Sequence, residues 1–311
     1  MVLNSIEVLS SNAKKMESKI IQGDCIDEMR KFPDESIDLI ITDPPYQITA
    51  CEWDKSFDLD GFWVEVKRIV KPNTAILVFS SQPFTTDLIL SNRNWFRYEL
   101  IWIKTKGGGF ANANKKPLKR HENIIVFYQQ QPKYNPQKMK AEEDYIDKRK
   151  TIKSSKSIAK YMNNAISIRR ADDGWRFPTS LIYVNSVWFK NMHPTQKPIE
   201  LMKYLIKTYS QEGDMVLDCF AGSGSVMKAC LETNRQYIMI EKELSYYELM
   251  EQSDKTSTSA TPTFVSQKEF NMGLEVQKSK ISSPKLSPTE ITSPNPNIKL
   301  NSQVLLQARQ S

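Results

Sequence analysis

The sequence predicts an α/β protein whose sheet is written in two parts, and three observations carry that expectation. Short apolar runs alternate with stretches of helical periodicity from Lys19 onward, the alternation lapses between about residues 132 and 190, and it resumes over residues 191–252. KIIQ, IDLIIT, TAILVFSS, YELIWIK and ENIIVFYQ are short and rich in β-branched and aromatic residues, so they read as strands. FWVEVKRIVK, lying between the second and third of these, has apolar residues at helical spacing. Buried parallel strands joined by crossover helices are expected, with helices on both faces of the sheet.

In the second part, IELMKYLIKTYS, SVMKACLET and SYYELM read as helices, and MVLDCF and QYIMIE as strands. Residues 132–190 are dominated by Lys, Asn, Gln and Ser and are expected to form an inserted module. The expected organisation is therefore an extension over 1–18, a first part over 19–131, the insertion over 132–190, a second part over 191–252 and a tail over 253–311. The tail is rich in Ser, Thr, Pro, Lys and Asn, with only Phe264 and Phe270 as aromatics, which is too little apolar surface to offset the entropy of ordering.

Composition narrows the partners. Lys and Arg number 43 against 36 Asp and Glu, a formal charge of +7, which favours polyanions without proving one. Cys25, Cys51, Cys219 and Cys230 show no C-x-x-C spacing and only His121 and His193 accompany them, so no metal is expected and reduced thiols are. Residues 1–19 form no signal-peptide core, and no apolar run approaches the roughly 18 residues of a membrane span. A cytoplasmic protein is expected, nucleoid-associated if a bacterium or phage encodes it.

Two motifs carry chemistry. Asp43-Pro44-Pro45-Tyr46 follows IDLIIT directly. The two prolines fix φ and remove two backbone donors, which lets the Pro44 carbonyl stand as a bare acceptor beside the Asp43 carboxylate. Two acceptors on the hydrogens of an aromatic amine favour its pyramidal, nucleophilic form and stabilise the positive charge that grows on nitrogen. Tyr46 offers a flat face for a base. An ordinary strand-ending turn is the plain alternative. The second motif, Asp218-Cys219-Phe220-Ala221-Gly222-Ser223-Gly224-Ser225, stands between a strand and a helix. Its glycines admit a ligand to the backbone, and the helix start favours a carboxylate. Met227 occupies the place of the third glycine that a dinucleotide site requires, so a smaller nucleoside cofactor fits better. Glu241 closes QYIMIE at the distance of a ribose-binding acid, with a solvated strand-end acid as the alternative. Asp24 after KIIQ is a similar candidate, with a cap or turn role as its alternative.

Together these motifs resemble the circularly permuted, beta-class amino-group DNA methyltransferases, from about Lys19 to Met250 and in chain order: D-P-P-Y first, a variable region next, F-A-G-S-G last. G-D-C at residues 23–25, W-I-K at 102–104, H-E-N at 121–123, Y-N-P-Q at 134–137 and H-P-T-Q-K-P at 193–198 match as well. The resemblance implies a Rossmann-like S-adenosylmethionine-dependent fold with permuted strand order, the 132–190 insertion recognising the target, and MVLDCF beside IDLIIT at the switch point of the sheet. It implies a catalytic Asp43, Pro44, Pro45 and Tyr46. Phe220, Gly222, Ser223 and Gly224 would line the cofactor pocket with Asp218, Glu241 would hold the ribose and Asp24 would lie near the cofactor adenine. His193, Thr195 and Lys197 would hold its methionine end. The implied substrate is double-stranded DNA with the target base flipped out, because a stacked base cannot present its amine to such a pocket. A homodimer is compatible with it.

Lys104, Lys106, Lys115, Lys116, Lys119 and Arg120 surround Gly107–Gly109, and Lys148, Arg149, Lys150, Lys153, Lys156 and Lys160, then Arg169 and Arg170, crowd the insertion. They are expected as phosphate contacts, against an ordinary solvated face. Asp43 points to adenine N6, since the cytosine N4 enzymes of the resembled family usually carry Ser there. Cytosine N4 methylation, RNA amino methylation and an inactive DNA-binding module are the competing functions, and restriction-modification is one setting among several that fit.

Overall fold

The computed structural model describes residues 16–46, 57–141, 173–185 and 196–258. His193, Thr195, Lys153, Lys156, Arg169 and Arg170, with the other basic residues expected between 148 and 160, lie outside the described residues, as does Cys51. The strands are β1 (Lys19–Gln22), β2 (Ile37–Thr42), β3 (Val70–Ser80), β4 (Phe96–Gly108), β5 (Lys119–Phe127), β6 (Met139–Lys140), β7 (Trp175–Arg176), β8 (Leu181–Tyr183), β9 (Met215–Asp218) and β10 (Gln236–Glu241). The helices are α1 (Cys25–Met29), α2 (Leu59–Ile69), α3 (Phe84–Ser91), α4 (Ile199–Tyr209), α5 (Ser225–Glu232) and α6 (Leu244–Thr258). Eight strands form one sheet in the order β1-β10-β9-β2-β3-β5-β4-β8.

Both faces are covered. Cys25 and Met29 of α1, Phe62, Trp63, Val66 and Ile69 of α2 and Phe84 and Leu88 of α3 pack on one face. Leu201, Met202, Leu205, Ile206 and Tyr209 of α4, the apolar side of α5 and Met250 of α6 pack on the other. The central strands have no polar face to give to water, which is why IDLIIT and MVLD are nearly continuous apolar runs.

One expectation is corrected. β5 runs antiparallel to both β3 and β4, so the sheet is mixed. The cause is the short link over residues 109–118: a parallel return needs a crossover of a dozen or more residues, whereas a glycine-rich loop makes a hairpin. Helix α3 escaped the sequence reading because its apolar residues do not keep to one face: Phe84 and Leu88 are buried while Leu90 is exposed. The insertion is also not bare of strands. β6 pairs with β7, and β8 joins the main sheet beside β4, held by Trp102 Nε1 donating to the Val184 carbonyl at 2.9 Å. Its amino-terminal flank is anchored too, since Lys133 pairs with Asp214 at 2.7 Å and Asn135 Nδ2 donates to the carbonyls of Lys207, in the last turn of α4, and of Ser210, which caps it.

β9, late in the chain, pairs with β2 from the early part, Leu39 opposite Val216 and Ile40 opposite Leu217. At the carboxyl end of this pair the Thr42 hydroxyl donates to Asp218 Oδ1 at 2.9 Å and accepts from the Cys219 amide at 3.2 Å. Asp218 Oδ1 also accepts from the Phe220 amide at 3.1 Å. Burial pushes the Asp218 carboxyl up to about 7, against the lowering effect of the Phe220 amide and the Thr42 hydroxyl.

Two outcomes are expected from this packing. A raised acid contributes stability that is fully present below its unfolded pKa, near 4, and is lost as pH rises through about 7. Asp218→Asn should therefore gain stability relative to the parent between pH 4 and pH 8 in urea titrations, and a difference independent of pH would refute the assignment. Helix α6 continues six residues past the expected end at 252, and its Asp254 accepts from the Tyr237 hydroxyl at 2.6 Å. Cutting after Gln252 should cost about 1.5–3 kcal/mol, the range for hydrogen bonds to charged groups, and lower the thermal midpoint, while removing residues 259–311 should leave the midpoint unchanged.

Candidate active site

Asp43 and Tyr46 leave the carboxyl end of β2, and the glycine loop leaves that of β9, so the pairing of those strands brings the two motifs together. This is where ligands of open α/β sheets bind. The Tyr46 hydroxyl donates to Asp43 Oδ1, and the Tyr46 ring stacks on Phe84 of α3 with centroids 5.6 Å apart and planes 22° off parallel. One face of the expected stacking platform is thus backed by protein.

Lys197 donates to Asp43 Oδ2. Its side chain is only 11% exposed, its Nζ lies 5.0 Å from the Phe79 ring centre, and Glu122 Oε2 is an ion-pair partner at 3.4 Å. The other oxygen of Glu122 accepts from Lys104. Burial works against the Lys197 ammonium, but Asp43 and Glu122 outweigh it and raise its pKa above the ordinary lysine value. Burial likewise opposes the Glu122 carboxylate, which Lys197 and Lys104 hold below the usual range. The result is a chain of alternating charge, Asp43, Lys197, Glu122, Lys104, reaching from the D-P-P-Y loop to the root of the β4–β5 hairpin.

Glu122, the middle residue of the H-E-N text, has no role legible in the sequence, because a single part-buried charge inside β5 gives no periodic signal. Lys104, expected on phosphate, donates to Glu122 and lies 5.0 Å from the Trp102 ring centre. Lys119 donates to Ser81 Oγ, and Arg120 to the Lys104 and Thr105 carbonyls, so both also brace the hairpin. Lys106, Lys115 and Lys116 are exposed.

In the glycine loop, Gly222 has φ +52°, and a Cβ built there would meet nothing within 4 Å. Open space at a left-handed glycine suits a ligand drawn against the backbone. Gly224 is different. Its φ is +79°, and a Cβ would strike Met250 Cγ at 2.8 Å, so the missing side chain here makes room for α6. Glu241 Oε2 accepts from the Gly222 amide at 2.6 Å and Oε1 from the Glu243 amide at 2.8 Å. Burial raises the Glu241 carboxyl against these amides, and each oxygen keeps a second acceptor position for a hydroxyl. Phe220 is partly exposed and meets Phe57 edge to face at 5.0 Å. Ser223 is buried within the loop, and the Ser225 hydroxyl donates to the Lys197 carbonyl at 2.9 Å, fastening the start of α5 to the Lys197 segment.

Two further candidates make structural contacts. Asp24 caps α1, accepting from the Ile26 amide at 3.0 Å, with Lys242 at 3.3 Å from its other oxygen. That is the cap role weighed against cofactor contact. Asp218 is 4% exposed and lies beneath the loop, clasping Thr42. Pro44 is buried between Asp43 and the half-buried Pro45. A separate cavity of about 400 Å³, lined by Tyr98, Tyr128, Tyr134, Tyr204 and Tyr209, faces the carboxyl-terminal half of α4 and contains none of these groups. No helix among the described residues is long and apolar enough to cross a membrane.

Comparison with known proteins places this geometry. The chain is 29% identical to the type II methyltransferase M2.MboI of Moraxella bovis, over 84% of this chain and 94% of that protein. It is 28% identical to the type II methyltransferase M.HpaI of Haemophilus parainfluenzae, over 75% and 73% of the two chains. Among solved structures, the PvuII cytosine-N4-specific DNA methyltransferase superposes with a TM-score of 0.55 at 15% identity, covering 84% of this chain and 92% of that one. The M1.HpyAVI complex with S-adenosylmethionine gives 0.51 at 22%, covering 75% and 97%. At these identities the two structures establish the shared fold. The family model described as DNA methylase, of the N6/N4 amino-methyltransferase type, matches residues 37–252, and the chain belongs to that family.

Proposed function

We propose that this protein transfers a methyl group from S-adenosylmethionine to the N6 amine of adenine in double-stranded DNA, as a beta-class enzyme with its base-holding motif ahead of its cofactor motif. The observation that carries the reading is the Asp43 carboxylate at the carboxyl end of β2, backed by the buried Lys197 ammonium and set beside the open glycine loop after β9. The cofactor supplies an electrophilic sulfonium methyl. This chain's residues supply position and electrostatics.

Asp43 accepts one hydrogen of the flipped adenine amine and the Pro44 carbonyl the other. Lys197 and Tyr46 each occupy one position on the carboxylate, and about four acceptor positions exist, so room remains for the amine. The fixed cation on Oδ2 keeps Asp43 oriented while positive charge grows on the amine nitrogen. Tyr46, backed by Phe84, holds the base plane. Glu241 accepts from the cofactor ribose, Gly222 admits it to the backbone, and the Lys197 segment, with His193 and Thr195, holds its methionine end. Lys106, Lys115 and Lys116 meet phosphates. Methylation within a restriction-modification pair in the bacterial cytoplasm is the setting that fits the relatives named above.

Incubation with labelled cofactor and mixed-sequence DNA, followed by nucleoside mass spectrometry, should yield N6-methyladenine; label confined to cytosine would move the assignment to N4-cytosine. In the same assay Asp43→Ala should lose about 10²–10³-fold in transfer, the scale of one electrostatic group in a reacting site, with cofactor affinity within about threefold of the parent by calorimetry. Equal loss of both would make Asp43 structural. Gly222→Val should reverse the pattern: a β-branched residue is strained at φ +52° and fills the ligand surface, so cofactor affinity should fall at least about tenfold while DNA affinity holds.

A further inference from the structure

The β4–β5 hairpin carries a feature that base holding and cofactor binding do not use. Its tip presents Phe110 at 73% exposure, the highest of the exposed large hydrophobic residues described. The tip is ordered: Gly109 at φ +88° turns the chain into a short 3₁₀ helix over Phe110–Asn112, and the amides of Asn112, Ala113 and Lys115 donate to the Gly109, Phe110 and Asn112 carbonyls. A rigid turn that holds an aromatic ring in solvent forgoes the burial such a ring normally has.

The surroundings identify what covers the ring. From Lys104 to Arg120 the hairpin contains Lys104, Lys106, Lys115, Lys116, Lys119 and Arg120 and no acidic residue. The neutralising Glu122 lies at the root, already shared between Lys104 and Lys197. A partner for the tip is therefore polyanionic and offers an apolar surface into which a ring fits, which describes a nucleic acid stack. The hairpin also projects on the catalytic side, since Asn123 pairs with Ser80, the last residue of β3, and the segment beyond it runs past the carboxyl end of the sheet.

We propose, building on the DNA reading above, that Phe110 is a wedge that inserts between base steps beside the target and holds open the stack from which the base is extruded. Exposed apolar side chains that enter a duplex between steps act in this way. Lys115 and Lys116 hold the adjacent phosphates. Six residue steps, at most about 20 Å of strand, take the chain from Lys104, which the Glu122 and Lys197 charges tie to Asp43, out to Phe110.

The test compares Phe110→Ala and Phe110→Trp with the parent in the full chain, using labelled cofactor and unmethylated mixed-sequence DNA, native and heat-denatured. Phe110→Ala should lose at least about tenfold on native duplex, and the deficit should shrink below about threefold on denatured DNA, where no stack has to be opened. Phe110→Trp should stay within about threefold of the parent on duplex. Thermal midpoint, cofactor affinity and the salt dependence of DNA binding should be unchanged in both. Full duplex activity of Phe110→Ala, an undiminished deficit on denatured DNA, or a fallen thermal midpoint overturns the wedge. These outcomes are separable from the function itself: a parent that labels cytosine changes the base but leaves the wedge, and a parent that labels no DNA removes both.

Discussion

The side-by-side packing of β2 and β9 is the constraint on which the candidate site depends, and the buried hydroxyl of Thr42 is its latch. Each strand ends in a motif that by itself is a loop with unusual residues. Only when Thr42 donates to Asp218 and accepts from the Cys219 amide do the two loops leave the sheet at a fixed offset. The latch is buried, so water cannot substitute for either partner, and a lost bond there would leave a donor or acceptor unsatisfied at a cost of roughly 1–3 kcal/mol. That is enough to make the register of these two strands decisive for everything built on their ends.

Above the latch the governing effect is electrostatic. A lysine at 11% exposure would ordinarily shed its proton, because desolvation disfavours the charged form. Here two carboxylates reverse that tendency, and a second lysine neutralises the outer one. Breaking one member of such a chain leaves an uncompensated charge in a poorly solvated place, which is more damaging than the pair's net contribution suggests. The arrangement also makes the hairpin electrically continuous with the D-P-P-Y loop, so that its root is positioned by the same charges that orient Asp43.

Much of this was legible in the sequence. The apolar runs located the strands of the central sheet, because strands buried on both faces have no room for polar residues. The D-P-P-Y and F-A-G-S-G segments were legible as turns at the ends of strands. What escaped had no local signature. β5 reads like any buried strand, and only the length of the loop before it reveals its direction. Lys104 looks the same as the exposed lysines beside it, since the partner that draws it inward, Glu122, belongs to another strand. Gly224 cannot be told from Gly222 until α6 brings Met250 against it. The motif text at Asn135 and Trp102 proved to be scaffolding, one closing a helix end and the other fixing an edge strand.

The placement of β9 has a consequence for how the chain is made. Thr42 and Asp218 are 176 residues apart, and at a synthesis rate of roughly 5–20 residues per second about 10–35 s separate their emergence from a ribosome. During that interval β2 and β3 can pair, but the other edge of β2 presents unpaired amides and carbonyls, and β1 has no neighbour until β10 arrives. An apolar strand with an open edge is a template for association with other chains. Nascent protein is therefore at its most vulnerable in the middle of translation, and a ribosome stalled within the insertion would hold a half-sheet whose natural partner is the part of the message not yet read.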